Sequence, residues 1–282
     1  MPSGTASGPT LRRPSSLEEV TGRPLAGGTD LVPLLRDGLV DADELFDVRG
    51  LLPREIENGA IGAGATLGEL ERADGIPDAL REACRLSASP QLRSMGTIGG
   101  NLRQATRCWY WRLSFPCYLH GGDRCHAREG EHREHAIVGN DRCASAHPSD
   151  PAAALLALGA TVETTGRTLP LRDLYRLPTE EARDVVALED GELILRIRYE
   201  QPNASTYLKA MDRRAWSFAL VGVGAARFGD AVRIALAGAA PIPWELASPE
   251  ALDETTPLPG TAYKVEIARA LVRRAVAAVR GD

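Results

Sequence analysis

Between Arg107 and Cys143 the chain reads RCWYWRLSFPCYLHGGDRCHAREGEHREHAIVGNDRC, holding four of the five cysteines and four of the five histidines of a 282-residue protein. Thiolates and imidazoles are the ligands that soft and borderline metals take from proteins, so metal chemistry is the first use to weigh. Cys108, Cys117, Cys125 and Cys143 are separated by eight, seven and seventeen residues. No C-x-x-C pair occurs among them, which sets the stretch apart from zinc ribbons, rubredoxin knuckles and ferredoxin runs. Four readings stay open on the residues alone. They are disulfides, four unrelated thiols, a structural zinc, and a [4Fe-4S] cluster whose irons each take one thiolate. Zinc could draw on these cysteines with His120, His126, His132, His135 or His147. The odd cysteine count points to a reducing compartment, where disulfides are disfavoured; a periplasmic destination would revive them.

A second chemistry lies in two glycine turns, AGGTD at Ala26–Asp30 and TIGGN at Thr97–Asn101. Each follows or adjoins a strand-like run and leads toward a helix, where successive backbone N–H groups can point outward. One such turn is common, because glycine serves any backbone needing positive φ or close approach. Two together fit a cradle for a diphosphate. The pattern is not G-x-G-x-x-G, so a standard Rossmann nucleotide site is not written here.

The elements that must position these residues can be read from periodicity. The first 16 residues, rich in Pro, Ser, Gly and Thr, read as a disordered or strand-poor leader. SSLEEV predicts a capped helical turn, with Ser15 or Ser16 as N-cap and Glu18 or Glu19 reaching back. PLAGGTDLVPLLRDG predicts strand, glycine turn and a helix with Leu31, Leu34 and Leu35 on one face. LFDVRGL and GAIGAGAT predict two further strands, with helix resuming near Leu67. IPDALREACRLSAS predicts an amphipathic helix with Ile76, Leu80 and Ala83 or Cys84 facing a core. An Ala/Leu helix follows Asp150 and ends near Gly159, and GELILRIRYE predicts a strand. From Tyr207 onward, three strand-like runs broken by glycines predict an antiparallel sheet. Thr261–Arg280 places Val265, Ala268, Leu271, Val272, Ala275 and Val279 at helical spacing, so this helix should pack on that sheet.

A net charge of -5 with both signs interspersed argues against nucleic acid or an anionic membrane as partner. No run approaches the roughly 20 apolar residues of a membrane span, and the start lacks the apolar core of a secretory signal. The chain is long enough to bury a core without metal or disulfide staples throughout.

Taken in order, PLAGGTDLVPLL, IGAGATLGELE, SMGTIGGNL, PSDPAAALLALGA, YLKAMDR and ALAGAAPIPW…YKVEIARALVRRA resemble the flavin-binding medium subunits of molybdenum hydroxylases. That family includes subunits of aldehyde oxidoreductases, carbon monoxide dehydrogenases and hydroxybenzoyl-CoA reductases, and the flavin segment of xanthine dehydrogenase. The resemblance runs from about Leu17 to Arg280. It implies an α+β fold: a two-subdomain FAD-binding domain of the vanillyl-alcohol-oxidase (PCMH-like) type, then a C-terminal α+β domain with antiparallel sheet and helices. The expected division is 1–16 leader, 17–205 FAD-binding domain and 206–282 C-terminal domain. The N-terminus is shorter than the family pattern, which implies an irregular opening strand. The resemblance also implies FAD contacts from Leu25, Ala26, Gly27, Gly28, Thr29 and Asp30 in the first loop and from Thr97, Gly99, Gly100 and Asn101 in the second. Ser149 and Asp150 match the pair that holds the ribityl and diphosphate side, and Lys209 matches a lysine near the isoalloxazine ring, where positive charge stabilises reduced flavin. On the residues alone, Lys209 reads as a solvated lysine on a strand.

In the plain family pattern the second glycine loop leads within a few residues to the Ser-Asp pair; here residues 103–148 intervene. This insertion resembles the one that carries a [4Fe-4S] cluster in medium subunits of periplasmic-type aldehyde oxidoreductases. The resemblance implies that Cys108, Cys117, Cys125 and Cys143 ligate the cluster, with the histidines supporting or packing and Trp109, Tyr110 and Trp111 shielding it. The implied function is an electron-transfer subunit working with a molybdenum-cofactor large subunit and a [2Fe-2S] small subunit. Its external acceptor would be ferredoxin-like, a quinone or oxygen, and no catalytic acid, base or nucleophile is expected on this chain. A cytoplasmic location is expected, with periplasmic export alongside a signal-bearing partner as the alternative. Two rival functions are a non-redox zinc-binding assembly subunit and a stand-alone flavoprotein oxidoreductase.

Overall fold

The computed structural model describes residues 8–281. Its first sheet is parallel, in the order β1 (Thr10–Arg12), β3 (Glu44–Asp47) and β2 (Arg23–Leu25), with Thr10 opposite Glu44 and Arg23 opposite Leu45. The strand β1 corrects the expectation of a strand-poor leader and of an irregular opening strand. The edge of β3 offers unpaired backbone groups, and Thr10 N–H takes the carbonyl of Asp43 at 2.9 Å while the Arg12 guanidinium meets Glu44 at 2.7 Å. The part of the leader at positions 1–7, and Asp282, lie outside the described residues. Over Leu17–Glu19 the predicted helical turn is a single 3-10 turn, with the Glu19 carboxylate accepting from the N–H and hydroxyl of Ser15 at 2.8 and 2.7 Å. The short helix α1 (Leu31–Arg36) is the next element after β2, across the first glycine turn.

A second, antiparallel sheet has the order β4 (Ile56–Glu57), β5 (Ala60–Gly62), β8 (Ile194–Arg198), β6 (Thr161–Thr164) and β7 (Thr168–Pro170). Helix α2 (Leu67–Arg72) starts from a complete capping box, Thr66 accepting from Glu69 N–H and Glu69 from Thr66 N–H. Helix α3 (Asp78–Leu86) buries Leu80, Ala83 and Cys84 as its spacing predicts, and burial pushes the Cys84 thiol up, so it packs and does not react. Then come α4 (Pro90–Arg93), α5 (Ile98–Leu102), α6 (Trp109–Arg112) and α7 (Asp150–Ala157).

The third sheet, β12 (Trp244–Leu246), β11 (Ala231–Ala237), β10 (Val221–Phe228) and β9 (Ala204–Ala210), is the antiparallel one foreseen after Tyr207. Alternation along β10 decides its neighbours. Val221, Val223 and Ala225 share a core with helix α8 (Ala262–Arg280), whereas the opposite face carries glycines and Ala226. A Cβ on Gly224 would come within 2.9 Å of the Ala153 carbonyl, so the small residues let α7 lie close on the sheet. Every residue of α7 is buried, because it is wedged between this sheet and α3. On α8 the stripe Val265, Ala268, Leu271, Val272, Ala275 and Val279 is buried, as its spacing predicts. The whole is an α+β fold. No helix among the described residues is long and apolar enough to cross a membrane.

Candidate functional site: a dinucleotide cleft beside a thiol pocket

The first glycine turn hangs between β2 and α1. The N–H groups of Ala26, Gly27, Gly28, Thr29 and Asp30 find no protein acceptor among the described residues. Unpaired amides in succession are costly unless something negative or solvent meets them, and they form an anion-binding nest. Two features hold the loop open. Gly28 has φ +70°, and a Cβ on Gly27 would come within 2.0 Å of the Met95 carbonyl oxygen, so only glycine lets the two loops touch. These amides border a cleft of about 490 Å³.

The second glycine turn borders the same cleft, but four of its five N–H donors are spent, only that of Thr97 lacking an acceptor among the described residues. Ile98 and Gly99 N–H bond the carbonyls of Ala65 and Ala63 at 2.8 and 3.0 Å, Asn101 N–H bonds that of Thr97 at 2.8 Å, and Gly100 N–H reaches the Thr97 hydroxyl at 3.2 Å. The reason lies in the run Ala63–Leu67, which lies antiparallel to this turn and takes its hydrogen bonds. A succession of free amides is therefore found in the first turn and not in the second, which supplies chiefly a wall.

Of the residues the sequence nominated for flavin, Leu25–Asp30, Thr97, Gly99, Gly100, Asn101, Asp150 and Lys209 all border the cleft. Ser149 does not. It is wholly buried as N-cap of α7, accepting from Ala152 N–H at 3.0 Å and donating to the Asn101 side-chain oxygen at 2.5 Å. It thus joins the second turn to α7. Lys209 is not a solvated lysine: its side chain is 1 % exposed and its ammonium lies 2.7 Å from the Asp150 carboxylate and 3.0 Å from the Leu86 carbonyl. Asp150 also accepts from the Tyr207 hydroxyl at 2.5 Å, and desolvation beside that carboxylate pushes the phenol well above its usual range. A Cβ on Gly222 would strike that hydroxyl at 2.0 Å, so the glycine across the strand pair makes room for it. Sequence reasoning missed Tyr207 as part of this group; its place two residues before Lys209, on the same strand face, was the available signal.

Asp30 turns away from the cleft's open amides. Its carboxylate accepts from Ala105 N–H at 2.8 Å and pairs with Arg107 and Arg112 at 2.7 and 3.1 Å. It clamps the start of the 103–148 insertion onto the first glycine turn.

Within the insertion the four cysteines come together. Cys108, Cys117, Cys125 and Cys143 line one small pocket with Tyr110, Trp111 and Tyr118, and all four are free thiols. Burial pushes the Cys108 thiol up to about 11 and that of Cys143 to about 12. Such thiols give up their protons when a positive centre compensates, so the donor set suits a metal centre. Among the described residues no three Cys, His, Asp or Glu side chains group tightly enough for a single ion. A zinc ion would draw thiolates to about 4 Å from one another, from Zn–S bonds of about 2.3 Å. Trp111 borders both this pocket and the cleft.

The histidines divide. His120 and His126 bond the carbonyls of Trp111 and Pro116, and His132 faces those of Ala127 and Gly130. His147 is buried, accepts from Ser149 N–H at 3.3 Å, and burial holds it down at about 3. His135, also buried, places Nε2 3.2 Å from Cys108 Sγ. Trp109 meets the His135 ring edge-on at 4.7 Å, and Trp111 stacks on His120 at 5.0 Å.

A donor-rich loop on a cleft of this size, in this α+β frame, is an arrangement that suits a dinucleotide. Residues 14–199 match the family described as the FAD binding domain in molybdopterin dehydrogenase. The chain belongs to that family, the FAD-binding medium subunits of molybdenum hydroxylases, and is an oxidoreductase subunit. It is 36% identical over 246 residues to the aldehyde oxidoreductase FAD-binding subunit PaoB of Escherichia coli (strain K12), covering 80% of this chain and 77% of that one. It is 30% identical over 192 residues to the carbon monoxide dehydrogenase medium chain of Afipia carboxidovorans, a match spanning 64% of this chain and 51% of the relative. In three dimensions it is similar to reconstituted CO dehydrogenase from Oligotropha carboxidovorans, with a TM-score of 0.68, 25% identity and 98% of both chains covered.

Proposed function

We propose that this chain is the FAD- and cluster-bearing relay of a heterotrimeric molybdenum hydroxylase of the aldehyde oxidoreductase or xanthine dehydrogenase type. It would receive electrons from [2Fe-2S] clusters of a small subunit, themselves supplied by a molybdenum-cofactor large subunit, and pass them to an external acceptor. A ferredoxin-like protein, a quinone or oxygen would fill that last role. The observation that carries the reading is the single wall, Trp111, between a cleft with five free amides and a pocket lined by four free thiols.

Bound there, FAD supplies storage for two electrons that can be loaded singly, and a [4Fe-4S] cluster supplies one-electron exchange. The amides of Ala26–Asp30 would hold the diphosphate, and the wall of Thr97, Gly99, Gly100 and Asn101 would bound it. Asp150 neutralises Lys209, so the pair presents a dipole to the ring and not a bare cation. Cys108, Cys117, Cys125 and Cys143 would ligate the cluster. We set the domains as 10–198 and 204–282 with the insertion at 103–148, because a start at 17 would leave β1 outside its sheet and a division at 205 would cut β9. The complex would work in the cytoplasm, or in the periplasm if a partner carries the export signal.

Anaerobically purified protein should show flavin absorption with a broad iron–sulfur shoulder, acid-labile sulfide and co-purifying molybdenum. Cys117→Ser should remove the iron and sulfide while flavin stays. Stoichiometric zinc in a colourless protein would refute the relay reading, and a flavoprotein with no large partner would point to a stand-alone oxidoreductase.

A further inference from the structure

His135 sits at the point where the insertion meets the C-terminal domain. Its ring is 3 % exposed, Nε2 lies 3.2 Å from Cys108 Sγ, and Nδ1 is buried with no partner among the described residues. Its backbone is fixed by Lys264 of α8, a wholly buried lysine whose ammonium donates to the carbonyls of Glu134, His135 and Gly238 at 3.0, 2.7 and 2.7 Å. Gly238 follows β11, so one side chain ties the insertion to both the third sheet and α8.

The direction of the His135–Cys108 bond follows from what each alternative leaves unpaired. Were the thiol to donate to Nε2, Nδ1 would carry a buried hydrogen with nothing to accept it. With Nε2 donating to sulfur, Nδ1 is an unpaired acceptor, the milder defect in protein interiors. A ligating thiolate has no hydrogen to give, which enforces the second arrangement.

We propose that His135 is a positioning residue that donates Nε2–H to the Cys108 thiolate and thereby raises the reduction potential of the centre that thiolate ligates, with Lys264 holding the donor in place. The inference rests on the reading of the four cysteines as cluster ligands. An N–H donor stabilises the more negative, reduced form of a cluster, which is why hydrogen bonds to its sulfurs set its potential.

The test uses the intact complex and an EPR-monitored redox titration, with iron and sulfide measured on every sample. His135→Phe is expected to keep iron and shift the midpoint to a more negative value. His135→Gln, whose amide can present N–H at the same place, is expected to stay near the parent. In parent protein labelled with 15N-histidine, the reduced cluster should show a nitrogen coupling that His135→Gln abolishes, a readout that stands even if the Phe variant does not assemble. Iron retained with an unmoved midpoint, or no histidine coupling, overturns the proposal for His135. Parent protein lacking iron and sulfide overturns the cluster reading itself, and the two failures are thus distinct.

Discussion

In the cleft bordered by the two glycine turns, regular elements do the positioning. A strand and a helix pin both ends of the loop Ala26–Asp30, and α2, α5 and α7 wall the other side, each with a side-chain N-cap from Thr66, Thr97 and Ser149. In the thiol pocket almost nothing regular is present beyond α6 and two 3-10 turns. Its backbone carbonyls are met by long side chains instead. Arg112 takes that of Thr106, Arg128 those of Asn140 and Asp141, Arg183 those of Tyr118 and Gly122, and Lys264 those of Glu134 and His135. The contrast teaches how a thiol-lined pocket is added to an existing fold. A chain without sheet or helix must still pair its polar backbone, and cations from the insertion and the domains around it supply the donors. It also explains the Arg- and His-rich composition of the segment without assigning each residue to a metal.

Three perturbations test that contrast. Lys209→Met leaves the Asp150 charge buried without its ion pair, and breaking such a pair costs about 3–5 kcal/mol. Thermal unfolding should register that loss, and hydrogen exchange should locate it at α3, α7 and β9 with the insertion little changed. Loosening that began in the insertion would mean the two regions are not separately built. Next in size is the comparison of the glycine turns. Gly27→Ala forces a Cβ against the Met95 carbonyl and should cost about 1–3 kcal/mol with loss of bound flavin. At Gly100 an added Cβ meets only the Thr97 hydroxyl, at 3.0 Å, so Gly100→Ala should retain most flavin. Equal losses would erase the distinction between donor loop and wall.

The smallest effect at neutral pH belongs to His147. Burial lowers its folded pKa from 6.5 to about 3, so between those values the unfolded chain binds a proton that the folded chain does not. Stability from this group is complete above pH 6.5 and is lost as pH falls toward 3. Denaturant titrations at pH 7 and pH 4.5 should therefore differ less for His147→Gln than for the parent. An identical pH dependence would show that His147 takes up its proton equally readily in the folded and unfolded chains.

Much of the frame was legible because it rests on local pattern. The stripe on α8 and the buried face of α3 follow from spacing, and an antiparallel sheet after Tyr207 follows from turn residues and alternation, whereas the α+β class came with the family resemblance. The strand β1 was not legible, since three residues without periodicity become a strand only when a neighbouring edge accepts them. The opposite error arose at Lys209, where the habit of long cations to stay in water is overruled by Asp150, which arrives from α7 and is distant in sequence.

By itself the sequence determined the longer helices and the antiparallel sheet, which family the chain joins, and that four thiols and two glycine turns were candidates for cofactors. Only the tertiary structure decided which glycine turn keeps its amides free, that Asp30 serves the insertion, that Trp111 is common to both pockets, and that His135 reaches Cys108. The physical reason is that each of these outcomes is a competition for a hydrogen-bond or charge partner. Spacing along a chain names the competitors, but the winner is whichever group the fold brings within about 3 Å.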